Sequence, residues 1–261
     1  MDALARLVSF YNSCTLDDTY RLIAHNVLQN IDALPKSSSY QMADLCFTAP
    51  STLRRLATKI GYKSYTAFKA DMNWSLENYR FLNVYRNLNI EQQCDPVAAL
   101  LNYIADIANF IRDSIDYPYL NEVVTDLRNY KRIVFFVSST TFQIQRLETD
   151  LLLDGHEVML YTDLHDQMSQ SNMLDQSCFA IFIKPEVPVT GNVRKLAQMA
   201  KTKGARTLIV SNNNSYRPND FIDYALNFVG TASLIDLFAI DMLVAAIVVK
   251  HQELLAKAEN A

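Results

Sequence analysis

Five short apolar segments alternate with amphipathic segments in the second half of this sequence. The apolar segments are residues 132–137, 157–161, 178–183, 206–210 and 224–228. They show little polar alternation, which is typical of strands whose two faces are both buried. The intervening segments have the apolar periodicity of helices, and they are residues 142–154, 165–173 and 191–203. Because helical crossovers join parallel strands, this pattern predicts an α/β fold with a five-stranded parallel sheet flanked by helices.

The first part of the sequence predicts a small all-α bundle. Residues 18–34 have an apolar helical pattern, residues 38–60 read as a helical hairpin, and a further helix is predicted over residues 64–78. The chain has 261 residues, half of them hydrophobic, and this length favours two domains with sizeable cores. We therefore predict an N-terminal all-α domain over residues 1–78.

A polar segment over residues 79–96 is the predicted linker, and residues 97–261 are the predicted α/β domain. That domain begins with helices predicted over residues 97–115 and 119–128. It ends with a long, strongly apolar helix over residues 233–255. This helix either packs against a second subunit as well as its own sheet, or it packs on one sheet face alone. The sequence leaves both alternatives open.

The hairpin has the local features of a helix-turn-helix. Residues 47–49 form a turn, and Pro50 stands at the first helical position, where its missing N–H costs nothing. Gly61 stands where a left-handed residue ends the second helix. One side of that helix is an apolar stripe, which consists of Leu53, Leu56, Ala57 and Ile60. The other side carries donors that suit phosphates and base edges in the DNA major groove. These donors are Ser51, Arg54, Arg55, Thr58 and Lys59.

Charge supports the interpretation of this hairpin as a DNA-binding module. Between residues 36 and 70 there are six basic residues and one acidic residue, Asp44, in a chain of net charge −4. The basic residues are Lys36, Arg54, Arg55, Lys59, Lys63 and Lys69. The alternative is an ordinary amphipathic hairpin with a solvated charged face, but a positive segment in an acidic protein favours attraction to the DNA backbone. Residues 1–75 have a net charge of +2 and the remainder −6, so DNA binding is expected at the N-terminal end.

The run from Ala49 to Tyr62, followed by Ser64-Tyr65 and Phe68-Lys69, resembles the helix-turn-helix of the RpiR family of bacterial transcriptional regulators. The strand–helix alternation after residue 97 is similar to the sugar isomerase (SIS) domain of that family. The resemblance implies a cytoplasmic regulator of carbohydrate metabolism that binds a double-stranded DNA operator as a homodimer or higher homo-oligomer. It also implies a sugar-phosphate or related small-molecule effector. With the cationic helix face, it assigns DNA binding to Pro50, Ser51, Thr52, Arg54, Arg55, Thr58, Lys59 and Lys63.

The sequence departs from the family pattern at the start of the recognition helix and at the effector loops. Ala49 stands where the family usually has serine, which removes an N-cap unless Thr48 supplies one. Residues 138–141 contain no glycine, and residues 184–189 contain two prolines and Glu186, which weakens phosphate binding. The remaining candidates for effector binding are Ser139, Thr140, Thr141, Lys184, Ser211 and Ser215. A modified effector pocket and a domain retained for dimerisation alone both stay open.

A sugar-phosphate isomerase and a scaffold protein that does not bind DNA are the alternative functions. An isomerase needs a paired acid and base, for which Glu148, Glu186, His156 and His165 are the candidates. His156 is predicted in a solvated loop and His165 near the start of a helix. The sequence contains no G-x-S-x-G, H-E-x-x-H or P-loop motif. It therefore favours a protein that is not an enzyme.

Metal ions, cofactors and membrane spans are not expected. Cys14, Cys46, Cys94 and Cys178 lie far apart and form no C-x-x-C pair, which favours isolated thiols in a reducing cytoplasm. The N-terminus lacks the basic region and cleavage site of a signal peptide. The most apolar stretch, residues 234–249, contains two aspartates and is shorter than the roughly 20 residues of a membrane span. We therefore expect a soluble protein.

Overall fold

The computed structural model describes residues 3–82, 95–183, 193–213, 215–228 and 235–259. The chain divides into two compact units, Met1–Asn83 and Val84–Ala261. The first unit is helical and the second contains a five-stranded parallel sheet flanked by helices, so the predicted fold class is confirmed. Most of the predicted linker lies outside the described residues.

The described residues of the N-terminal unit form five α-helices and a 3-10 helix over Leu34–Lys36. The α-helices are α1 (Ala3–Ser13), α2 (Thr19–Gln29), α3 (Ser39–Leu45), α4 (Pro50–Lys59) and α5 (Tyr65–Leu82). α1 has no counterpart among the predicted helices, and α5 continues past its predicted end. α2 ends before its predicted end at residue 34, because the Asn30 side chain donates a hydrogen bond to the Asn26 carbonyl at 2.9 Å and closes the last turn.

The predicted apolar stripes of the hairpin form the core of the N-terminal unit. The predicted stripe of Leu53, Leu56, Ala57 and Ile60 is buried, together with Met42, Ala43 and Cys46 at the end of α3. Phe68 and Met72 of α5 complete this core. Leu22 and Trp74 are exposed, although both stand among apolar residues at helical spacing. Their helices therefore turn narrower apolar stripes inward than periodicity alone indicates.

The described residues of the second unit form six helices and five strands. The helices are α6 (Pro96–Ser114), α7 (Tyr117–Leu127), α8 (Phe142–Leu153), α9 (Leu164–Ser171), α10 (Val193–Thr202) and α11 (Ile235–Glu259). The strands are β1 (Arg132–Val137), β2 (Glu157–Tyr161), β3 (Cys178–Ile183), β4 (Arg206–Ser211) and β5 (Tyr224–Asn227). The strand order is β2-β1-β3-β4-β5, and all neighbours are parallel.

Alternate residues of each strand face two different helical layers. In β1, Phe135 packs in the core formed with α6, α7, α8 and α11, whereas Phe136 packs in the core formed with α9 and α10. Phe136 also stacks on Phe182 of β3, with ring centroids 4.9 Å apart. Because both faces of the sheet are covered, its strands are nearly continuous apolar runs in the sequence.

α11 is the long apolar helix predicted at the end of the chain. It contacts α6, α7 and α8, and its inward residues, such as Leu243 and Ile247, are buried. Val249 is exposed on its outer side. The predicted start of this helix at residue 233 lies outside the described residues. In the part of the chain that is described, no helix is both long enough and apolar enough to span a membrane.

The strand order reverses at β1, which has β2 on one side and β3 on the other. In open α/β sheets, ligands bind outside the carboxyl ends of the strands beside such a point. We use the name carboxyl edge for the described residues that follow the strands at this end, 138–141, 162–163, 212–213 and 215, together with the first two turns of α11. The segment 184–192, which follows β3, lies outside the described residues.

Candidate functional site

Side chains cap the starts of seven helices in the described part of the chain, but α4 is not among them. The capping residues are Asp18, Ser38, Ser64, Asp95, Asp116, Thr141 and Asp163. Ala49 occupies the N-cap position of α4 with extended backbone, φ −87° and ψ 148°, and it supplies no side-chain hydrogen bond. Thr48 belongs to the preceding turn, where its backbone amide donates to the Ala43 carbonyl at 2.9 Å. The described residues therefore provide no side-chain N-cap hydrogen bond for α4.

Ala49→Ser is expected to stabilise the N-terminal unit by about 1 kcal/mol, because the extended backbone already suits a serine cap. Trp74 is the one tryptophan of the chain and lies in α5, so its fluorescence reports unfolding of this unit. Urea unfolding followed at this tryptophan checks the prediction. Ala49→Val is the control without a capping oxygen. Equal midpoints for serine and valine at this position would contradict the prediction.

The donor face of α4 is turned to solvent. Ser51, Arg54, Arg55, Thr58 and Lys59 are exposed, as is Lys63 beyond the helix, whereas Pro50 and Thr52 are half-buried. On the opposite side, Leu53, Leu56 and Ala57 are buried. The structure therefore places all eight predicted DNA-binding residues at or beside one accessible helix.

The basic residues of this face differ in how they are held. Within the described residues, Arg54, Arg55 and Lys63 form no hydrogen bond or ion pair with their side chains, so their charges are available to a ligand. The Lys59 ammonium lies 4.8 Å from the centre of the Tyr20 ring in a cation–π contact. The Thr58 hydroxyl donates to the Arg54 carbonyl at 3.1 Å. The cation–π contact therefore restricts the position of the Lys59 ammonium, whereas no such contact restricts the side chains of Arg54 and Arg55 within the described residues.

The end of α4 is fixed by a helix that the sequence analysis missed. Gly61 has φ 94°, the left-handed conformation predicted for it. An Arg6 guanidinium nitrogen of α1 lies 3.1 Å from the place where a Cβ at Gly61 would stand, and this guanidinium stacks over the Tyr62 ring at 5.4 Å. The Tyr62 hydroxyl donates to Asp71 of α5. The helical spacing of apolar residues within 3–13 was the pattern from which α1 was predictable.

The predicted effector residues fall into three groups at the carboxyl edge. Ser139, Thr140 and Ser215 are exposed. Thr141 and Ser211 are engaged in hydrogen bonds within the fold. Lys184 lies outside the described residues, as does Glu186. Because β3 separates β1 from β4, the residues after those two strands are roughly 10 Å apart, a span that fits a small molecule lying across the sheet.

Two of the predicted effector hydroxyls already have structural roles. Thr141 caps α8, and its hydroxyl donates to an Asp241 carboxylate oxygen at 2.7 Å. Ser211 is fully buried, and its hydroxyl accepts from the Asn213 amide at 3.2 Å. Of the predicted effector hydroxyls in the described residues, those of Ser139, Thr140 and Ser215 therefore remain accessible.

Sequence reasoning missed the acidic and amide groups at the same edge. The buried Asn212 amide donates to Asp236 at 2.8 Å, and Asp236 is itself fully buried in the first turn of α11. The buried Gln167 amide donates to the Val137 and Tyr161 carbonyls at 2.8 Å each and ties α9 to the ends of β1 and β2. Asp236 and Asp241 were visible in the sequence as charges within an apolar helix, but only the fold places them beside the effector residues.

The candidate acid–base residues do not form a catalytic pair. The prediction that His156 is a solvated loop residue is wrong: its side chain is 9% exposed, and Nδ1 lies 2.8 Å from the Tyr130 carbonyl. His165 lies in the first turn of α9, as predicted. His156 precedes β2 and His165 follows it, so the length of a five-residue strand, roughly 16 Å, separates them. Glu148 lies in α8, half-buried.

The described residues contain no group of three or more His, Cys, Asp or Glu side chains that could hold a metal ion. Cys14, Cys46 and Cys178 are free thiols, and Cys94 lies outside the described residues. Burial raises the pKa of Cys46 to about 11, which keeps this thiol protonated and unreactive at neutral pH.

His251 of α11 forms part of a buried group of charges at the end of α8. Its side chain is fully buried, and neither ring nitrogen has a hydrogen-bond partner. Burial lowers its pKa, and the Asp154 carboxylate at 3.8 Å opposes this effect in part. Arg128, His156 and Asp150 also act on it through charge. Burial therefore favours the neutral form of His251 in the folded protein.

Stability is expected to fall as the pH drops below about 6.5, the ordinary pKa of histidine. The pKa of His251 is lower in the folded chain than in the unfolded chain. The contribution of this histidine to folding stability is therefore fully present above its pKa in the unfolded chain, and it is lost as the pH falls through its pKa in the folded chain. Urea unfolding by circular dichroism across this range is the measurement. His251→Leu is expected to flatten the profile, and the exposed His165→Gln serves as control. An unchanged profile in His251→Leu would contradict the assignment.

Comparison with known proteins agrees with this description. No family model matches the chain. A curated protein of Haemophilus influenzae, named an uncharacterized HTH-type transcriptional regulator, is 22% identical in an alignment of 276 positions that covers 99% of this chain and 94% of that protein. A second curated protein, from Providencia stuartii, is 21% identical over 196 residues, which cover 74% of this chain and 69% of that protein. It is named an uncharacterized HTH-type transcriptional regulator in aarA 3'region.

Among solved structures, the Vibrio vulnificus NanR protein complexed with ManNAc-6P is similar to this chain. The TM-score is 0.54 at 16% identity, and the alignment covers 99% of this chain and 94% of that one. The chain is therefore similar to two helix-turn-helix transcriptional regulators, to one of them along nearly its whole length, and it shares the fold of NanR. The predicted similarity to a helix-turn-helix transcriptional regulator is confirmed in this sense.

Proposed function

We propose that this protein is a DNA-binding transcriptional regulator that reads its operator with α4. The observation that carries the proposal is the exposed donor face of α4, on which Arg54 and Arg55 form no ion pair within the described residues. This face belongs to a positive segment of an acidic chain, which is the charge distribution that phosphate attraction requires. The names of the two curated relatives support the same function.

The residues of the proposed interface have separate roles. Arg55, with Ser51 and Thr52, projects from the part of α4 that enters the major groove, where guanidinium and hydroxyl groups read base edges. Lys59 and Lys63 contact phosphates, because an ammonium is a point charge that carries no base preference. Specificity then depends on the arginine, and affinity on both kinds of residue.

The protein acts as a homodimer or higher homo-oligomer in this proposal, and it acts in the cytoplasm, where bacterial operators lie. A two-fold dimer presents two copies of α4 to two half-sites about one helical turn of DNA apart. The exposed Val249 of α11 and the exposed Val97 and Leu101 of α6 offer apolar surface for the contact between subunits. A footprint with two-fold symmetry is the expected result.

The α/β unit binds a carbohydrate derivative at its carboxyl edge without converting it. NanR, which has this fold, was solved with a phosphorylated amino sugar, and this supports the ligand class. The separation of His156 from His165 by the length of β2 opposes the isomerase alternative, because proton transfer needs groups within hydrogen-bond reach of one substrate. The exposed Ser139, Thr140 and Ser215 are the proposed effector contacts, with Lys184 as a further one.

Selection of fragments of the host genome that bind the protein, followed by titration at several salt concentrations, tests the proposed function. A regulator recovers a small set of fragments, and its affinity falls steeply as salt rises because phosphate contacts release counterions. A scaffold protein recovers no preferred fragment, and that result would refute the proposal. The adjoining genes would name the pathway and so narrow the class of effector.

A further inference from the structure

The turn between α3 and α4 holds a bulky side chain in a backbone conformation that favours glycine. Phe47 has φ 53°, and no other non-glycine residue in the described ranges has a positive φ. The Cβ of an L-residue crowds its own carbonyl in this region, so aromatic residues are uncommon there. Glycine at this position would carry no such strain.

The hydrogen bonds of the turn impose this conformation. The Phe47 amide donates to the Asp44 carbonyl at 3.2 Å, and the Thr48 amide donates to the Ala43 carbonyl at 2.9 Å. The Asn26 side chain of α2 donates to the Cys46 carbonyl at 3.1 Å and anchors the turn from outside. Phe47 therefore cannot leave the left-handed conformation without breaking the hydrogen bonds of the turn between α3 and α4.

The described residues of the N-terminal unit leave the Phe47 ring almost fully exposed, so packing against them does not offset this strain. The side chain is 92% exposed, whereas Met42 and Cys46 on the same helix end are buried. Single exposed apolar residues are ordinary on protein surfaces. An exposed aromatic ring on a strained turn is unusual, because backbone strain of this kind is concentrated at functional sites.

The position of Phe47 indicates what the ring contacts. It lies three residues before Pro50, the first residue of α4, whose N-terminal part enters the major groove in a helix-turn-helix complex. The surrounding segment is positive, so its natural partner is a polyanion. The apolar group that DNA presents in the major groove is the 5-methyl group of thymine, and phenylalanine is among the side chains that contact it.

We propose that Phe47 packs on a thymine methyl group beside the bases read by α4 and is a determinant of operator specificity. This inference rests on the proposed DNA-binding function. The strained turn then serves recognition, because it holds the ring rigidly at the edge of the groove. A flexible loop would lose more conformational entropy on ordering the same contact.

Phe47→Gly separates recognition from stability. The full chain and the genomic fragments recovered by selection are used throughout. We expect the variant to bind them roughly tenfold more weakly, the loss typical of one disturbed base-pair contact. Relief of the left-handed strain should raise the Trp74-detected unfolding temperature by roughly 4–8 °C. Phe47→Tyr keeps the ring and should retain wild-type affinity. Leu16→Ala removes another exposed apolar side chain of this unit and should change neither property.

A methyl scan identifies the contact itself. Each thymine of the fragment is replaced in turn by deoxyuridine, which lacks only the 5-methyl group. At one position per half-site, this replacement should weaken DNA binding by the wild-type protein. The same replacement should leave DNA binding by Phe47→Gly unchanged, which is the result that a double-mutant cycle gives for a direct contact.

Several results would overturn the inference. If Phe47→Gly keeps the wild-type DNA affinity and the wild-type dependence on thymine methyl groups, the proposed contact is refuted. The DNA-binding function would still stand in that case if Arg55→Ala loses binding to the same fragments. A changed sedimentation behaviour of Phe47→Gly with normal DNA affinity would also refute it, since the ring would then dock on protein. Absence of salt-dependent binding in the wild type would instead refute the DNA-binding function.

Discussion

Arg55→Ala is expected to weaken specific operator binding by roughly 5- to 150-fold, or about 1–3 kcal/mol, while leaving the fold intact. Arg55 is exposed on the side of α4 opposite Leu53 and Leu56, and it forms no ion pair within the described residues. Its guanidinium is therefore free to bind guanine through two parallel hydrogen bonds. Because the side chain is exposed and forms no hydrogen bond or ion pair within the described residues, its loss should appear in DNA affinity and not in stability. Competition binding between the operator and unrelated DNA measures it.

Lys63→Ala is the matched control for Arg55→Ala, since it removes one exposed positive charge from the same segment. A phosphate contact carries no base preference, so this variant should weaken binding to all sequences alike and reduce the salt slope by about one. Specificity, measured as the ratio of operator to unrelated DNA affinity, should fall in Arg55→Ala and persist in Lys63→Ala. An Arg55→Ala protein with wild-type operator affinity would show that α4 does not read bases through this residue.

The sheet was predictable from sequence because its two covered faces leave a simple pattern. β1, β2 and β3 have the predicted bounds, and β4 and β5 differ from them by one residue each. A parallel strand that is buried on both faces carries few polar side chains, and those of β4, Thr207 and Ser211, are hydrogen-bonded. The ends of such strands therefore lie close to the first run of polar or turn residues. Helix bounds were less accurate, because caps such as the Asn30 side chain end a helix inside a continuing periodic pattern.

The DNA-binding face was predictable for a similar reason, since one helix contains it. Residues 50–59 share a helix whose periodicity separates apolar from polar residues, so their exposure follows from spacing alone. Two features of this region were not predictable. The cation–π contact of Lys59 with Tyr20 joins α4 to α2, and the left-handed backbone of Phe47 depends on the hydrogen bonds of the whole turn.

The carboxyl edge was less predictable because residues from distant segments meet there. Thr141 and Asp241 are 100 residues apart in sequence and 2.7 Å apart in the structure. Asn212 and Asp236 form a similar pair through a buried hydrogen bond. A sequence shows where hydroxyls follow strands, but it does not show which of them are already bonded. The burial of His156 escaped prediction in the same way, since its partner Tyr130 precedes β1.

Effector screening by thermal shift is expected to show that simple hexose phosphates stabilise the α/β unit weakly or not at all. A phosphate needs several converging N–H or O–H donors and a positive field. The described carboxyl edge lacks a glycine loop after β1, has Thr141 and Ser211 engaged within the fold, and carries Asp236 and Asp241 on α11. Exposed hydroxyls remain at Ser139, Thr140 and Ser215, which suit the hydroxyls of an uncharged or amino sugar.

An uncharged or amino sugar that binds this edge should therefore stabilise the unit more than its phosphate ester does. At 100 times its dissociation constant, a ligand stabilises the folded state by about 2.7 kcal/mol, which a thermal-shift panel of sugar phosphates, amino sugars and neutral sugars detects readily. Ser215→Ala should reduce the thermal shift, because the exposed hydroxyl of Ser215 contacts the ligand. Thr202→Ala is the control, since the Thr202 hydroxyl donates to the Gln198 carbonyl and lies far from this edge in the fold. Clear stabilisation by a hexose phosphate that Ser215→Ala abolishes would show that the acidic groups do not exclude phosphate. No stabilisation by any member of the panel would indicate that the α/β unit only dimerises, since a domain retained for that purpose needs its apolar surface and not its carboxyl edge.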